Sequence, residues 1–238
     1  PELGTEENFA SLVGALHENG MHVMLDGVYN HASWQHPFWQ DVLKNGEKSA
    51  YFDWFCGVSM EVLRGKTSKE LTADVMRGEK PFESFAFAAD MPKWNTENPA
   101  VQDYLIGTAA EWTRKYGIDA WRLDVPDEVS FRFLEHFKKC IREANSEAYI
   151  IGEIWQKSTA WLRAGVFDGA MDYPLYFAIR DFAMKRADGV ETFAERIKDV
   201  YLSAPDCVRP RQFTFCGNHD IPRPLTVCGG DTDRLAAA

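Results

Sequence analysis

The stretch Tyr116-Gly117-Ile118-Asp119-Ala120-Trp121-Arg122-Leu123-Asp124 contains the end of a predicted helix and a complete predicted strand. Upstream of it, apolar residues recur at helical spacing from Val101 to Trp112, and a glycine such as Gly117 commonly ends a helix. The apolar residues that follow predict a buried strand whose last residues carry charge. The stretch thus forms one repeating unit: a helix, a buried strand and a charged strand end.

The same unit recurs along the chain. The predicted strands share an apolar run and span residues 21–28, 118–124, 149–155, 167–171 and 212–216. The predicted helices share a periodic apolar face and cover residues 9–16, 101–112, 134–141 and about 174–202. Strands that alternate with helices predict an α/β fold with a parallel sheet.

Polar clusters follow the predicted strands at four places. The clusters are Asp26 to His31, Arg122 to Asp124, Glu153 with Trp155, and Asn218 to Asp220. In a parallel α/β barrel every strand delivers its last residues to the same face. We therefore expect the carboxylates, the arginine and the histidines of these clusters to share one pocket.

Length and composition limit the classes of function. The chain has 238 residues, 45% of them hydrophobic, which is enough for a substantial core in a single α/β domain. The net charge of −10 provides no basic patch for nucleic acid and suits a soluble protein that acts on a neutral ligand such as a sugar. No apolar run reaches the length of about 18 residues that predicts a membrane span.

Cysteine usage indicates a reducing compartment. The five cysteines are Cys56, Cys140, Cys207, Cys216 and Cys228. Their spacing matches no zinc motif, and an odd number argues against a complete disulfide framework. We expect buried reduced thiols and a cytoplasmic protein.

Residues 33–97 break the helix and strand rhythm. This stretch is rich in aromatic residues, glycine, proline and charge, which is typical of a functional insertion after a strand. The aromatic residues that could stack beneath sugar rings are Trp34, Phe38, Trp39, Tyr51, Phe52, Trp54 and Phe55. We expect most of them to form the core of the insertion and one or two to touch a ligand.

The polar clusters, in this order and spacing, resemble the signature regions of the α-amylase superfamily of glycoside hydrolases. The matching segments are Leu25-Asp26-Gly27-Val28-Tyr29-Asn30-His31, Ala120-Trp121-Arg122-Leu123-Asp124, Ile151-Gly152-Glu153-Ile154-Trp155 and Phe215-Cys216-Gly217-Asn218-His219-Asp220. Between the first two, His36-Pro37-Phe38-Trp39-Gln40-Asp41-Val42 and Met91-Pro92-Lys93-Trp94-Asn95-Thr96 resemble the branch of cyclomaltodextrinases, neopullulanases and maltogenic amylases.

The resemblance implies a fold and a domain organisation. Residues 1–32 and 98–238 would form part of a TIM (β/α)8 barrel, about strands 3 to 7, and residues 33–97 an irregular domain inserted after strand 3 that lines the substrate cleft. The sequence would then be an internal part of a longer protein. The branch also leaves a homodimer open for that longer protein.

The resemblance assigns the chemistry to three carboxyl groups. Asp124 matches the nucleophile that forms a covalent glycosyl-enzyme, Glu153 the general acid/base, and Asp220 the carboxylate that grips sugar hydroxyls at the transition state. A pair of carboxyl groups is what glycoside hydrolysis requires. Glu153 is also flanked by apolar residues, where an unused carboxyl group would be costly to bury.

Four further residues match substrate-binding positions of the family: His31, Arg122, His219 and Arg223. Arg122 lies two residues before Asp124, on the same side of the strand, and would pair with Asp124 and keep it ionised. Without the surrounding motif, a structural ion pair explains these two residues equally well. Asp26 and Asn30 match architectural positions.

The resemblance implies no required cofactor. Calcium is an optional ligand, because the residue that matches Asn30 binds it in many family members. The sequence departs from the branch at Pro126-Asp127, where many members have Ala-Asn, and this change falls on the acceptor side of the cleft.

The leading hypothesis is a retaining hydrolase that cleaves α-1,4 bonds of cyclodextrins, maltodextrins or pullulan. An α-glucanotransferase would use the same intermediate and a sugar acceptor. A non-catalytic amylase-like binding subunit is a third hypothesis, although such proteins typically lose the catalytic carboxylates that are present here. A metal-dependent barrel hydrolase lacks support, because the sequence has no His-x-His pair at a strand end.

Overall fold

The computed structural model describes residues 4–63, 65–79, 81–86 and 88–238. Arg64, Lys80 and Phe87, which belong to the predicted insertion, lie outside the described residues. The chain divides into two compact units, with the boundary between Ala148 and Tyr149. Each unit contains a pair of parallel strands together with helices, which confirms the predicted α/β fold class.

The first unit is built on two parallel strands. Its elements in order are α1 Glu6–Glu18, β1 Met24–Val28, α2 Pro37–Asn45, α3 Met60–Leu63, α4 Ser68–Met76, α5 Pro99–Tyr116, β2 Ala120–Asp124 and α6 Phe131–Ala144. In the register of β1 and β2, Asp26 is opposite Arg122 and Val28 is opposite Asp124. Because the strands are parallel and in this register, Asp26 of β1 lies beside Arg122, two residues before the end of β2.

The helices begin and end where their sequences provide caps. Thr5 and Asn8 form a reciprocal capping box at the start of α1. Asn98 caps α5, and Gly117 ends it with a φ of 69°, a left-handed conformation that favours glycine. Among the described residues, no helix combines the length and apolar character that a membrane crossing needs.

The described residues between 33 and 97 fold into short helices and turns around a cluster of aromatic side chains. Trp39 is completely buried, and its ring contacts Phe55 and Phe82 with centroid distances of 4.8 Å each. Phe38 stacks on Tyr51 at 4.0 Å. These contacts are the internal aromatic core that the composition predicts, and they order a stretch with little regular secondary structure.

The second unit contains the other parallel strands. Its elements in order are β3 Tyr149–Gly152, α7 Thr159–Ala164, β4 Gly169–Ala170, α8 Tyr173–Ile179, a π-helical turn Arg180–Met184, α9 Val190–Ser203, α10 Pro224–Val227 and α11 Thr232–Ala237. Ile151 is opposite Gly169 in the register of β3 and β4. Both strands are short, and Glu153 directly follows β3.

The strand predicted at 212–216 is wrong as an extended element. Only Phe213 pairs with the sheet: its N–H donates to the Ala170 carbonyl at 2.9 Å, and its own carbonyl accepts from Asp172. The N–H of Ala170 donates to the side-chain oxygen of Gln212 at 2.8 Å. The Gln212 side chain therefore accepts the hydrogen bond that a backbone carbonyl would accept if the parallel strand pairing continued.

The helix predicted over about 174–202 is also wrong as one element, because it breaks between the π-helical turn and α9. The Asp181 carbonyl accepts from the N–H of Ala187 at 2.7 Å and from that of Asp188 at 3.2 Å. Arg186 has a φ of 53°, and Gly189 then starts α9. These local hydrogen bonds turn the chain out of the helical path.

All five cysteines are free thiols. Cys228 is buried, but Cys207 and Cys216 are exposed, which corrects the prediction that the thiols are buried. Both exposed cysteines lie in irregular segments, where the backbone runs near the surface. A cysteine in such a segment stays exposed even though its thiol is apolar, because the segment does not direct its side chain into the core.

We predict that the same substitution has opposite effects at two glycines. A Cβ on Gly152 would lie 2.4 Å from a ring carbon of buried Phe167, whereas a Cβ on exposed Gly107, within α5, would meet nothing within 4 Å. Gly152→Ala should therefore lower the free energy of unfolding by about 1–3 kcal/mol. Gly107→Ala should raise it by about 0.5–1 kcal/mol, because glycine weakens a helix.

Urea unfolding of both variants beside the parent protein measures the two effects. Equal stability of the two variants would contradict the packing at the end of β3.

Candidate functional site

The charged group of the first unit is organised by Arg122. Its Nη1 donates to Asp124 Oδ1 at 2.7 Å and to Asp26 Oδ1 at 2.8 Å. The Arg122 side chain is 10% exposed, that of Asp124 is 20% exposed and that of Asp26 is about half-exposed. The predicted pairing of Arg122 with Asp124 is confirmed, and one guanidinium joins the middle of β1 to the end of β2.

His31 lies beside this charged group. Its ring stacks on Phe85 with a centroid distance of 4.9 Å and an interplanar angle of 5°. Burial lowers the pKa of His31 below its ordinary 6.5, and Lys93 adds to this effect, while the charges of Asp124 and Glu128 oppose it. His31 is therefore neutral near pH 7 and can both donate and accept hydrogen bonds.

Backbone hydrogen bonds next to His31 connect the start of the irregular segment, near residue 32, to its end, near residue 94. The N–H of Ala32 donates to the Pro92 carbonyl at 2.8 Å, and the N–H of Trp94 donates to the Asn30 carbonyl at 3.0 Å. Between these bonds, Lys93 reaches Glu128 with an Nζ–Oε2 distance of 3.1 Å. The sequence analysis missed Lys93 as a member of this group, although it lies within a segment quoted for its resemblance.

The chain turns sharply after Asp124. Val125 has φ 42° and ψ 48°, a left-handed conformation that is an outlier for a β-branched residue. A 3₁₀ turn, Pro126–Glu128, follows directly. Such strain costs of the order of 1–3 kcal/mol and collects at functional sites, which agrees with a functional position for the preceding Asp124.

Asn30 was the candidate calcium ligand. It is 1% exposed, and its Oδ1 has no hydrogen-bond partner among the residues that the structure describes. Calcium takes about six to eight oxygen ligands, mostly from carboxylates and carbonyls. Within the described ranges, no three His, Cys, Asp or Glu side chains gather so that they could hold an ion. Calcium binding at Asn30 therefore stays a prediction, and no step below uses it.

Glu153 is the centre of the charged group of the second unit. The residue is 4% exposed, and its Oε1 accepts from the Trp155 indole N–H at 3.0 Å. The same oxygen accepts from the Tyr173 hydroxyl at 3.3 Å. An indole N–H and a hydroxyl therefore both donate to this one oxygen.

The predicted cluster at Asn218–Asp220 meets Glu153 through Tyr173. Asn218 Nδ2 donates to the Tyr173 hydroxyl at 2.7 Å, and the N–H of Asp220 donates to Asn218 Oδ1 at 2.9 Å. His219 Nε2 lies 3.1 Å from Asp220 Oδ2. Burial raises the pKa of Tyr173, and the charges of Glu153 and Asp220 add to that effect.

The structure thus brings the predicted site residues together in two groups, one in each unit. His31, Arg122 and Asp124 form the first, and Glu153, His219 and Asp220 form the second. Arg223 lies exposed at the N-cap of α10. The sequence analysis missed Tyr173, although it follows the short strand β4 by three residues, where a search of strand ends could have found it.

We predict that Arg122→Met lowers the free energy of unfolding by about 3 kcal/mol, because it leaves two carboxylates beside each other without their shared cation. Arg114, exposed in the last turn of α5, is the matched control. Arg114→Met should change stability by less than about 0.5 kcal/mol. Urea unfolding at pH 7 measures both effects, and a small effect at Arg122 would contradict its bridging role.

We predict that the His31 ring titrates with a midpoint below pH 6.5. The His31 ring resonance is the histidine signal that disappears in His31→Asn. Because the unfolded chain has the higher histidine pKa, it binds more protons in the interval just below 6.5. Stability should therefore rise with pH across that interval, and His31→Asn should flatten the rise. Ring NMR shifts and urea unfolding at several pH values measure both effects, and a midpoint above 6.5 would contradict the burial of the ring.

Comparison with known proteins agrees with this geometry. The family model described as "Alpha amylase, catalytic domain" matches residues 1–238. A maltogenic alpha-amylase of Bacillus acidopullulyticus is 39% identical over 235 residues, covering 99% of this chain and 38% of that protein. A cyclomaltodextrinase of a Bacillus species is 38% identical over 238 residues, covering 100% of this chain and 41% of that protein.

A solved structure named cyclomaltodextrinase superposes with a TM-score of 0.85 at 38% identity, covering 95% of this chain and 37% of that one. The chain therefore spans about two fifths of the length of the curated relatives it matches. The similarity covers both compact units and all of the polar strand ends.

Proposed function

This chain belongs to the alpha-amylase catalytic domain family, and on that premise we propose that the complete protein hydrolyses α-1,4 bonds of α-glucans with retention of configuration. Cyclodextrins, maltodextrins and pullulan are the proposed substrates. The names of the relatives, cyclomaltodextrinase and maltogenic alpha-amylase, support this substrate class.

The observation that carries the proposal is the difference between two carboxyl groups at strand ends. Asp124 accepts a charge-assisted hydrogen bond from the Arg122 guanidinium and is partly exposed. Glu153 is nearly inaccessible, and an indole N–H and a hydroxyl donate to its Oε1. Two carboxyl groups in contrasting settings are typical of an acid and nucleophile pair.

In the first step of the proposed mechanism, Glu153 gives its proton to the glycosidic oxygen while Asp124 attacks the anomeric carbon. The bond to the leaving sugar breaks, and an ester joins the remaining sugar to Asp124. For this retaining geometry the two carboxyl groups should lie about 5–5.5 Å apart. That separation of Asp124 from Glu153 stays a prediction.

In the second step, Glu153 takes a proton from water, and the resulting hydroxide oxygen attacks the anomeric carbon. Asp124 leaves as a carboxylate, so the sugar is released with its original configuration. We assign Asp220, His31 and His219 to hydrogen bonds with the sugar hydroxyls, and Arg223 to the mouth of the cleft. The neutral state of His31 supports its part, because it can then donate and accept. The mechanism needs no cofactor.

We propose further that residues 1–32 and 98–238 belong to a (β/α)8 barrel and that residues 33–97 form an inserted domain beside the cleft. The backbone bonds from Ala32 to Pro92 and from Trp94 to Asn30 support this, since they close the insertion next to His31. A cytoplasmic location is proposed from the free cysteines, two of them exposed, which persist in a reducing compartment.

We predict different losses for two isosteric variants of the complete protein. Asp124→Asn should abolish turnover of maltodextrin and of maltosyl fluoride alike, because both substrates need the nucleophile. Glu153→Gln should lose at least about a hundredfold on maltodextrin but much less on the fluoride, whose leaving group needs no proton. Asp199→Asn, an exposed residue paired with Lys157, is the matched control and should keep full activity.

Initial rates, with products separated by chain length, measure these effects and distinguish hydrolysis from transfer. Equal losses on both substrates for Glu153→Gln would contradict its role as the acid. A parent protein that binds maltodextrin without turnover would support the non-catalytic alternative.

A further inference from the structure

The Tyr173 hydroxyl has a defined direction in the hydrogen-bond network of the second unit. The N–H of Asp220 donates to Asn218 Oδ1 at 2.9 Å, which fixes the amide oxygen of Asn218 on that side. Asn218 Nδ2 therefore faces Tyr173 and donates to its hydroxyl oxygen at 2.7 Å. The single hydroxyl proton of Tyr173 is then directed to Glu153 Oε1, 3.3 Å away.

The ring of Tyr173 is also fixed, by burial and by contacts with two aromatic rings. The residue is 0% exposed, and its ring stacks on Trp155 with a centroid distance of 4.2 Å and an interplanar angle of 16°. Phe215 packs edge-on against the Tyr173 ring at 4.9 Å. Because Trp155 and Tyr173 stack on each other, their donors keep a fixed spacing.

Both donors converge on one oxygen of Glu153. The Trp155 indole N–H donates to Oε1 at 3.0 Å, and the Tyr173 hydroxyl donates to the same atom. The two donors approach from fixed rings, so together they fix the orientation of the Glu153 carboxyl group.

We propose that Tyr173 is a positioning residue that fixes the orientation of the Glu153 carboxyl group and couples Glu153 to the Asn218–Asp220 segment. This inference rests on the proposed function of Glu153 as acid and base. Tyr173 does not touch the reacting atoms and acts through Glu153. Burial raises the pKa of Tyr173, so its hydroxyl remains a donor at neutral pH.

The test is Tyr173→Phe in the complete protein, which keeps the ring and removes the hydroxyl. Loss of a hydrogen bond to a charged group predicts a fall in kcat of about tenfold or more on maltodextrin, with KM changed by less than about twofold. A carboxylate that loses a donor keeps its proton to higher pH. The basic limb of the pH profile of kcat/KM should therefore move to higher pH.

Tyr176→Phe is the matched control, because Tyr176 lies on the same helix, is 1% exposed and stacks on Phe215. It should keep the parent kcat and pH profile. Trp155→Phe removes the other donor to Oε1 and, since Trp155 is partly exposed, it tests the proposal even if Tyr173→Phe does not fold. It should move the basic limb in the same direction.

A second readout separates this inference from the proposed function. The side-chain carboxyl of Glu153, labelled with ¹³C and assigned by Glu153→Gln, should titrate at higher pH in Tyr173→Phe than in the parent protein. Inactivity of the parent protein with this shift present would overturn only the proposed function. A parent-like titration and pH profile in Tyr173→Phe would overturn the positioning role of Tyr173.

Discussion

The hydrogen bonds of Arg122 are the interaction on which the first charged group depends. Its guanidinium is nearly buried, and a buried cation is stable only when it is paired and hydrogen-bonded. Asp26 and Asp124 provide that pairing because the parallel register of β1 and β2 brings their side chains to the same edge. The left-handed turn at Val125 follows directly after Asp124, the residue that pairs with Arg122.

Glu153 satisfies the same constraint by different means. Its burial requires partners, and the aromatic residues Trp155 and Tyr173 supply an N–H and an O–H without adding charge. The stacking of those rings makes the donors rigid, and Asn218 extends the network to Asp220. The Arg122 guanidinium thus donates to Asp124, whereas an indole and a hydroxyl donate to Glu153.

Local sequence predicted the elements best where a cap or a long periodic face was present. The end of α5 at Gly117 and the strand ends at Asp124 and near Glu153 agree with the structure, because each depends on neighbouring residues. The predictions failed at 212–216 and within 174–202. In both places a hydrogen bond from outside the regular ladder, made by the Gln212 side chain or the Asp181 carbonyl, overrides the apolar pattern.

The sequence by itself determined the α/β class, the family resemblance and the residue types of the candidate site, since strand-end motifs are contiguous in the chain. The tertiary structure alone decided that Arg122 also holds Asp26, 96 residues away, and that Tyr173 reaches Glu153, 20 residues away. Hydrogen bonds act over about 3 Å, so partners distant in sequence are set by packing, which no local pattern specifies.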